Sequence, residues 1–237
     1  MAHSLEAPGT DEAPDHSSLY RARGDEVLAQ RPIFTGDIFF DVPVIGEDEP
    51  KNVLVLQHPC VIRRGLVLIP KVLVAEVRPE GVQRPSRWTH LPRQMPLAEL
   101  VVDGRPAHYA GFFVDHQLVR AESLDINRRI ACMSQRGVNL LLQRWVHHNS
   151  RVIVPTFNYQ DVTSPQYEEA DIIEEWCLDR EDDGVSASAA TAEIDTWLTG
   201  DKGPTSPRVR LEDPQQRSAI RRDVRAHLGW ARDQARG

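Results

Sequence analysis

Short apolar runs, separated by Pro, Gly and charged residues, dominate the first two thirds of the chain and are typical of strands joined by turns. The run at 52–56 is apolar without alternation, which indicates a strand covered on both faces. The same pattern predicts strands at 36–44, 52–56, 66–70, 71–77, 97–102, 108–114 and 151–155. The turn between the fifth and sixth of these is predicted at Asp103-Gly104. The pattern therefore predicts an α+β fold built around a small barrel of five to seven strands.

Helical periodicity begins where the strand pattern weakens. The segment 123–133 is predicted to form a short helix, and Ser134 is a suitable N-cap for a second one. Apolar residues of that second helix recur at i, i+3, i+4, i+7 and i+8, namely Val138, Leu141, Leu142, Trp145 and Val146. We therefore expect a helical hairpin at 123–148, packed on the barrel.

The segments outside this core differ from it in composition. Residues 1–30 hold few large apolar side chains and are expected to be disordered. Ser164-Pro165, followed by acidic residues, predicts the start of an acidic helix, and Asp213-Pro214 predicts the start of a terminal one. The predicted organisation is a disordered segment 1–30, a barrel-plus-helix core domain 31–160, an acidic helix 161–180 packed on the core, a linker 181–212 and a C-terminal helix 213–237.

The composition excludes several classes of protein. No apolar run approaches the roughly 20 residues that a membrane helix requires. The first residues lack the basic and apolar parts of a secretion signal. The three cysteines, Cys60, Cys132 and Cys177, are too widely spaced for a disulfide framework or a paired zinc signature. We expect a cytoplasmic protein with no membrane partner, cofactor or resident metal.

The distribution of charge along the chain says more about a possible partner than the net charge does. The formal net charge is −7, yet residues 31–150 carry fifteen basic against twelve acidic side chains. The excess of acid lies in the two ends of the chain. A slightly basic middle favours a polyanionic partner such as RNA. Ordinary solubility is the alternative explanation of the same distribution.

A first group of reactive side chains follows the buried run at 52–56. His58 and Cys60 are two residues apart, so they lie on one face of an extended chain and can touch. Arg63 and Arg64 follow them and could lower the pKa of a neighbouring thiol. The alternative is that Cys60 is a small core residue and His58 a turn residue.

A second group lies at the end of the predicted second helix. His147 and His148 close that helix, and Arg144 precedes them by one turn. Together with Arg136 they could bind RNA phosphates, although cations are favoured at any helix C-terminus. A zinc site made of His58, Cys60, His147 and His148 would be chemically competent, but their spacing does not require one.

Parts of this pattern resemble a known family. Gly36-Asp37-Ile38-Phe39, a loop that begins Gly46-Glu47 and the run at 53–56 resemble the opening of the MazF/PemK (Kid) toxins. The segment 124–146, with Met133-Ser134 at its centre, is similar to their closing helix. The resemblance covers residues 34–148. It implies an SH3-like barrel that cleaves RNA without a metal, belongs to a toxin–antitoxin system and forms a homodimer.

Four positions depart from the family pattern. These are Thr35 in place of Arg, Lys51-Asn52 in place of Arg-Pro, Gln57 in place of Ser, and Lys71 in place of a catalytic Thr or Ser. A lysine can still stabilise charge on a phosphate, but as a point charge rather than a bidentate fork. The resemblance therefore places Lys71 among the RNA-binding candidates.

The expected function is recognition of single-stranded RNA, with metal-independent endoribonuclease cleavage as its enzymatic form. A 2′-hydroxyl would attack the adjacent phosphate, His58 would act as general base, and Lys51, Arg63 or Arg64 would stabilise the transition state. The four departures favour a different class, a catalytically inactive module for protein interaction or regulation, phage- or defence-related, on the same barrel. A thiol enzyme with Cys60 as nucleophile is a third alternative.

Overall fold

The computed structural model describes residues 4–200 and 205–236, except for the side chains of Arg64 and of residues 234–236. The chain divides into two compact units. Within the described residues, the first unit comprises residues 4–28 and 33–163, and the second comprises residues 29–32 and 164 onward.

The first unit is a mixed α/β structure. Its strands are β1 (Tyr20–Arg23), β2 (Ile38–Val42), β3 (Lys51–Val55), β4 (Arg63–Arg64), β5 (Val67–Leu68), β6 (Lys71–Pro79), β7 (Gln94–Val102), β8 (Arg105–Arg120) and β9 (Arg129–Met133). Its helices are the short α1 (Pro85–Trp88), the long α2 (Gln135–Ser150) and the first turns of α3 (Phe157–Asp182). Single 3₁₀ turns lie at His16–Leu19, Gly24–Glu26, Ala121–Ser123 and Ile126–Arg128.

Seven of the strands form one antiparallel sheet in the order β1-β9-β2-β3-β6-β8-β7, and β4 and β5 form a separate small hairpin. The sheet curves until its two edge strands meet. The Tyr20 hydroxyl of β1 donates to the Ala98 carbonyl of β7 at 3.0 Å, and the Arg23 guanidinium donates to the Glu99 carbonyl at 2.7 Å. The result is a nearly closed barrel, which confirms the predicted small barrel within a mixed fold.

Burial is complete on both faces of β3 from Val53 onward. Val53 and Val55 pack in a cluster with Phe39, Val72, Val74 and Val119. Leu54 and Leu56, which point the other way, are also fully buried. This agrees with the run at 52–56, whose lack of alternation predicts cover on both faces.

A buried ion pair joins β2 to β9. Asp37, which immediately precedes β2, accepts from Arg129 at 2.8 Å and from the Phe34 backbone N–H at 3.0 Å. Arg129 also donates to the Leu28 carbonyl at 2.7 Å. The preceding Gly36 has a φ of +86°, and a Cβ there would meet the Met133 side chain at 2.8 Å. The Gly-Asp dipeptide is thus required by backbone conformation and by packing.

The structure differs from the sequence prediction at 123–133. This segment is two 3₁₀ turns followed by β9, so the predicted helical hairpin reduces to α2 alone. The physical reason is strand pairing, because β9 completes the ladder between β1 and β2. Local helix propensity is a weak preference that such tertiary pairing overrides. The second half of the prediction is confirmed, since the Ser134 hydroxyl accepts from the Gly137 N–H and caps α2.

The ends of the chain also differ from prediction. Within 1–30, residues 1–3 lie outside the described residues, but residues 4–30 are structured, with Leu5, Leu19 and Tyr20 buried and β1 in the sheet. The segment 151–155 pairs with no strand. The helix predicted to start at Ser164-Pro165 is part of α3, which begins earlier, at Phe157, and contains Pro165 within it.

The second unit consists of helices. They are the remainder of α3, α4 (Ala187–Thr199), α5 (Pro207–Arg210) and α6 (Arg217–Arg236). The predicted linker 181–212 therefore holds two helices, although its residues 201–204 lie outside the described residues. Their core comprises Ile172, Ile173, Trp176, Ile194, Trp197, Leu198, Ile220, Val224 and Leu228. The terminal helix α6 contributes the last three of these residues, which form a narrow apolar stripe along it.

Candidate functional site

The end of β3 forms a rim where several reactive side chains meet. The Leu56 backbone N–H donates to the Leu73 carbonyl at 3.0 Å, and the Gln57 side-chain oxygen accepts from the Leu73 N–H at 2.8 Å. The Gln57 side chain thus takes the place of a backbone acceptor in the ladder. The Thr35 hydroxyl donates to the backbone carbonyl of Gln57. The backbone leaves the sheet after Gln57. His58 and Cys60 therefore lie in the turn that follows.

His58 and Cys60 are in direct contact. His58 Nδ1 lies 2.9 Å from Cys60 Sγ and 3.3 Å from the Cys60 backbone nitrogen. With Nδ1 accepting from this backbone N–H, the neutral ring carries its proton on Nε2. Burial lowers the pKa of His58 below its usual value, so the imidazole is neutral at pH 7. A neutral imidazole beside an exposed thiol can accept the proton of that thiol. The i, i+2 spacing predicts that the two side chains touch.

Two exposed cations lie at the same end of the sheet. Lys71 opens β6 and stands directly opposite Arg120 at the end of β8. Because Leu56 pairs with Leu73, the start of β6 lies beside the turn that holds His58. We call the group His58, Cys60, Lys71 and Arg120 the β3 rim. The sequence pattern did not identify Arg120, since only the β6–β8 register brings it beside Lys71.

The other predicted catalytic residues do not join the β3 rim as free side chains. Arg63 donates to the Ile33 carbonyl and lies over the Phe34 ring, so it holds the backbone together. The side chain of Arg64 lies outside the described residues. Lys51 begins β3 and pairs with Val42. At about 3.3 Å per residue, the seven residues from Lys51 to His58 place these side chains roughly 20 Å apart.

Arg144 has a structural role in place of the predicted RNA contact. It is fully buried and donates to the carbonyls of Trp88 (2.8 Å), Leu91 (3.2 Å) and Glu6 (2.6 Å). Burial lowers its pKa to about 9, which still leaves it charged at pH 7. The guanidinium therefore stabilises three loop carbonyls rather than a bound phosphate.

The remaining candidates lie at opposite ends of α2. Arg136 in its first turn is exposed and paired with Asp15 at 3.3 Å. His148 in its last turn stacks on Trp145 with 5.9 Å between ring centroids, and burial lowers its pKa. From Arg136 to His147 the helix rises by about 17 Å. These residues do not form one phosphate-binding surface.

The four candidate zinc ligands are not brought together either. His58 and Cys60 lie in the β3 rim, whereas His147 and His148 lie at the end of α2. Within the part of the chain that the structure describes, no group of three or more His, Cys, Asp or Glu side chains is placed to hold a metal ion.

Comparison with known proteins leaves the chain without an assigned family. No model of a known protein family matches it, and no curated protein sequence is significantly similar to it. Among the described residues, no helix is both long and apolar enough to cross a membrane.

Thiol labelling of the native protein should modify Cys60 alone. Cys60 is exposed, whereas Cys132 and Cys177 are buried, so one equivalent of iodoacetamide is expected to react fast. Mass spectrometry of the labelled peptides identifies the site. His58→Ala should slow the reaction several-fold at pH 7, because it removes the base beside the thiol. Equal rates in both proteins would mean that the contact does not activate the thiol, and slow labelling of Cys60 would exclude a thiol enzyme.

Proposed function

We propose that the β3 rim binds single-stranded RNA and that His58 acts as general base in its metal-independent cleavage. The observation that carries the proposal is the pairing of Lys71 with Arg120 at the end of the sheet that leads into the His58 turn. Two adjacent exposed cations suit a phosphate backbone, whose contacts supply most of the affinity of non-specific RNA binding. An SH3-like barrel of the MazF/PemK type is the fold that this proposal assumes.

The proposed reaction needs three groups from the chain. His58 Nδ1, the unprotonated ring nitrogen, takes the proton of a 2′-hydroxyl that displaces Cys60 from it, while the hydroxyl oxygen forms a bond to the adjacent phosphorus. Lys71 and Arg120 stabilise the charge on the phosphate oxygens, and the 5′-oxygen of the next nucleotide leaves with a proton from water. The products are a 2′,3′-cyclic phosphate and a 5′-hydroxyl. Lys51, which the sequence pattern placed in this set, has no role because it stands at the far end of β3.

The test compares Lys71→Ala with Lys51→Ala in the full chain, since both remove one lysine charge from an edge of the same barrel. Binding of a labelled single-stranded RNA is measured in EDTA over a range of salt concentrations. Lys71→Ala and Arg120→Ala should each reduce the slope of log K against log salt by about 0.7, the loss of one phosphate contact. Lys51→Ala should leave the slope unchanged. Equal effects of Lys51→Ala and Lys71→Ala would contradict the assignment of the site to the β3 rim.

Cleavage should depend on His58 separately from binding. His58→Ala is expected to leave RNA affinity unchanged and to lower the cleavage rate by about 10²–10⁴-fold. Because burial lowers the pKa of His58, the wild-type rate should rise with pH and have its midpoint below pH 6.5, the ordinary pKa of histidine. Bound but uncleaved RNA would confine the function to RNA binding.

A catalytically inactive protein-interaction module is the second candidate, because exposed apolar side chains lie within four residues of rim positions along the chain. Val61 and Val67 are 51% and 73% exposed, and Leu118, two residues before Arg120, is also exposed. Such side chains are typical of a protein-binding surface. The absence of any RNA binding by the wild-type chain would favour this module. Val67→Asp would then be expected to abolish capture of the partner.

A further inference from the structure

A row of aromatic rings crosses the second unit from its core to its surface. Trp176 of α3 stacks on His227 of α6 with 5.2 Å between ring centroids and 19° between ring planes. His227 in turn lies 5.8 Å from Trp230, one turn further along α6. Trp197 of α4 packs against the inner end of the row, 6.0 Å from Trp176.

The two ends of this row differ in exposure. Trp176 is 1% exposed and is part of the core, whereas Trp230 is 59% exposed. Leaving so much of an indole in water forgoes the free energy of burying a large apolar surface. Indoles that remain exposed beside a cavity are typical of binding sites, because they offer a large rigid face at low entropic cost.

A cavity of about 860 Å³ opens along the row. This volume is within the range of small-molecule sites. Small residues line the rest of the wall, which leaves the ring faces accessible; they are Ala189, Ala192, Gly200 and Ala231.

The charge around the cavity disfavours an anion. Arg180, the one Arg or Lys among the lining residues, donates to both carboxylate oxygens of Glu193 at 2.8 and 3.2 Å and to Asp183 at 3.2 Å. Its donors are therefore occupied within the unit. Residues 29–32 and 164–237 carry sixteen acidic against eleven basic side chains, so the surrounding field attracts cations. The faces of Trp rings also attract cations.

We propose that this cavity binds a planar aromatic cation, which stacks on Trp230 and extends the row of rings by one. The site lies wholly in the second unit and is independent of the function proposed for the β3 rim. Stacking of the ligand on Trp230 accounts for the exposed indole. The hydrogen bonds of Arg180 to Glu193 and Asp183, together with the acidic surroundings, account for the preference for a cation over an anion.

The probe is proflavine, a planar aromatic cation, titrated calorimetrically into the full-length protein. One saturable site per chain is expected. Trp230→Ala should weaken binding at least about tenfold, as loss of one stacking partner does, and Trp230→Phe should retain most of the affinity. Val209→Ala is the matched control, because it trims another exposed apolar side chain of the same unit and should change nothing.

Three results would overturn the proposal. They are equal proflavine affinity in the wild type and in Trp230→Ala, equal or tighter binding of the planar anion 2-naphthalenesulfonate, and a dimer in sedimentation experiments that Trp230→Ala dissociates. The third would mean that a second copy of the chain covers Trp230.

Discussion

Replacement of Arg129 by Met is expected to lower the free energy of unfolding of the first unit by about 3–5 kcal/mol. Arg129 and Asp37 are 0% and 1% exposed in their side chains, so removing the guanidinium leaves a carboxylate buried without its counter-charge. The Leu28 carbonyl would lose its donor at the same time. Losing one partner of a buried ion pair costs more than the pair itself contributes.

Hydrogen exchange of the β2 and β9 amides measures this loss, and Arg128→Met supplies the control. Arg128 precedes Arg129 but is exposed, and its bond is to the Asp41 carbonyl. Its replacement should cost at most about 1 kcal/mol. The double variant Asp37→Asn/Arg129→Met should recover part of the loss, because Asn can still accept from the Phe34 N–H while the uncompensated charge is gone. Similar losses for Arg128→Met and Arg129→Met would contradict a special role for the buried pair.

The strands and the helix with strong local patterns could be predicted from the sequence. The unbroken apolar run of β3 indicates burial on both faces, and this can be predicted without knowing which strands lie next to β3. Ser134 and the apolar periodicity after it define α2 because capping and amphipathicity are both local. In each case the residues that determine the structure lie within one element.

The elements that escaped prediction depend on partners distant in the chain. β9 is a strand because β1 and β2 stand on either side of it, and β1 itself lies in a segment whose composition favours disorder. Tyr20 orders that segment through a hydrogen bond to Ala98, a residue 78 positions away. No local pattern carries this information.

The candidate site divides in the same way. The contact between His58 and Cys60 follows from their separation by two residues, so it could be predicted. The pairing of Lys71 with Arg120 required the register of β6 on β8, whereas the separation of Lys51 from His58 already follows from the strand predicted at 52–56. The burial of Arg144 was unforeseen because a guanidinium that binds carbonyls and one that binds phosphate look alike in a sequence.

Replacement of Arg31 by Met should weaken the second unit by a similar amount, about 3–5 kcal/mol. Arg31 is 3% exposed and donates to Asp171 at 2.6 Å and to Glu174 at 2.7 Å, with its guanidinium 4.8 Å from the Tyr167 ring centroid. Without it, Glu174 would stay buried beside Asp171, which is 19% exposed and also lies 3.6 Å from Arg221, so repulsion between the two carboxylates would add to the desolvation of Glu174. A two-state analysis of a chain with two units is unsafe, so the loss is measured as hydrogen exchange of the α3 and α4 amides.

The pH dependence of that loss separates its electrostatic cause from a loss of packing. Protonation of a carboxylate would remove the repulsion between Asp171 and Glu174, so the difference between wild type and Arg31→Met should be smaller at pH 5 than at pH 7. A packing defect would give the same difference at both values. Arg222→Met, at an exposed position of α6, controls for the change of net charge and should leave exchange unaltered. A pH-independent loss in Arg31→Met would therefore mean that the aromatic and apolar contacts of Arg31, and not its charge, hold residues 29–32 in the second unit.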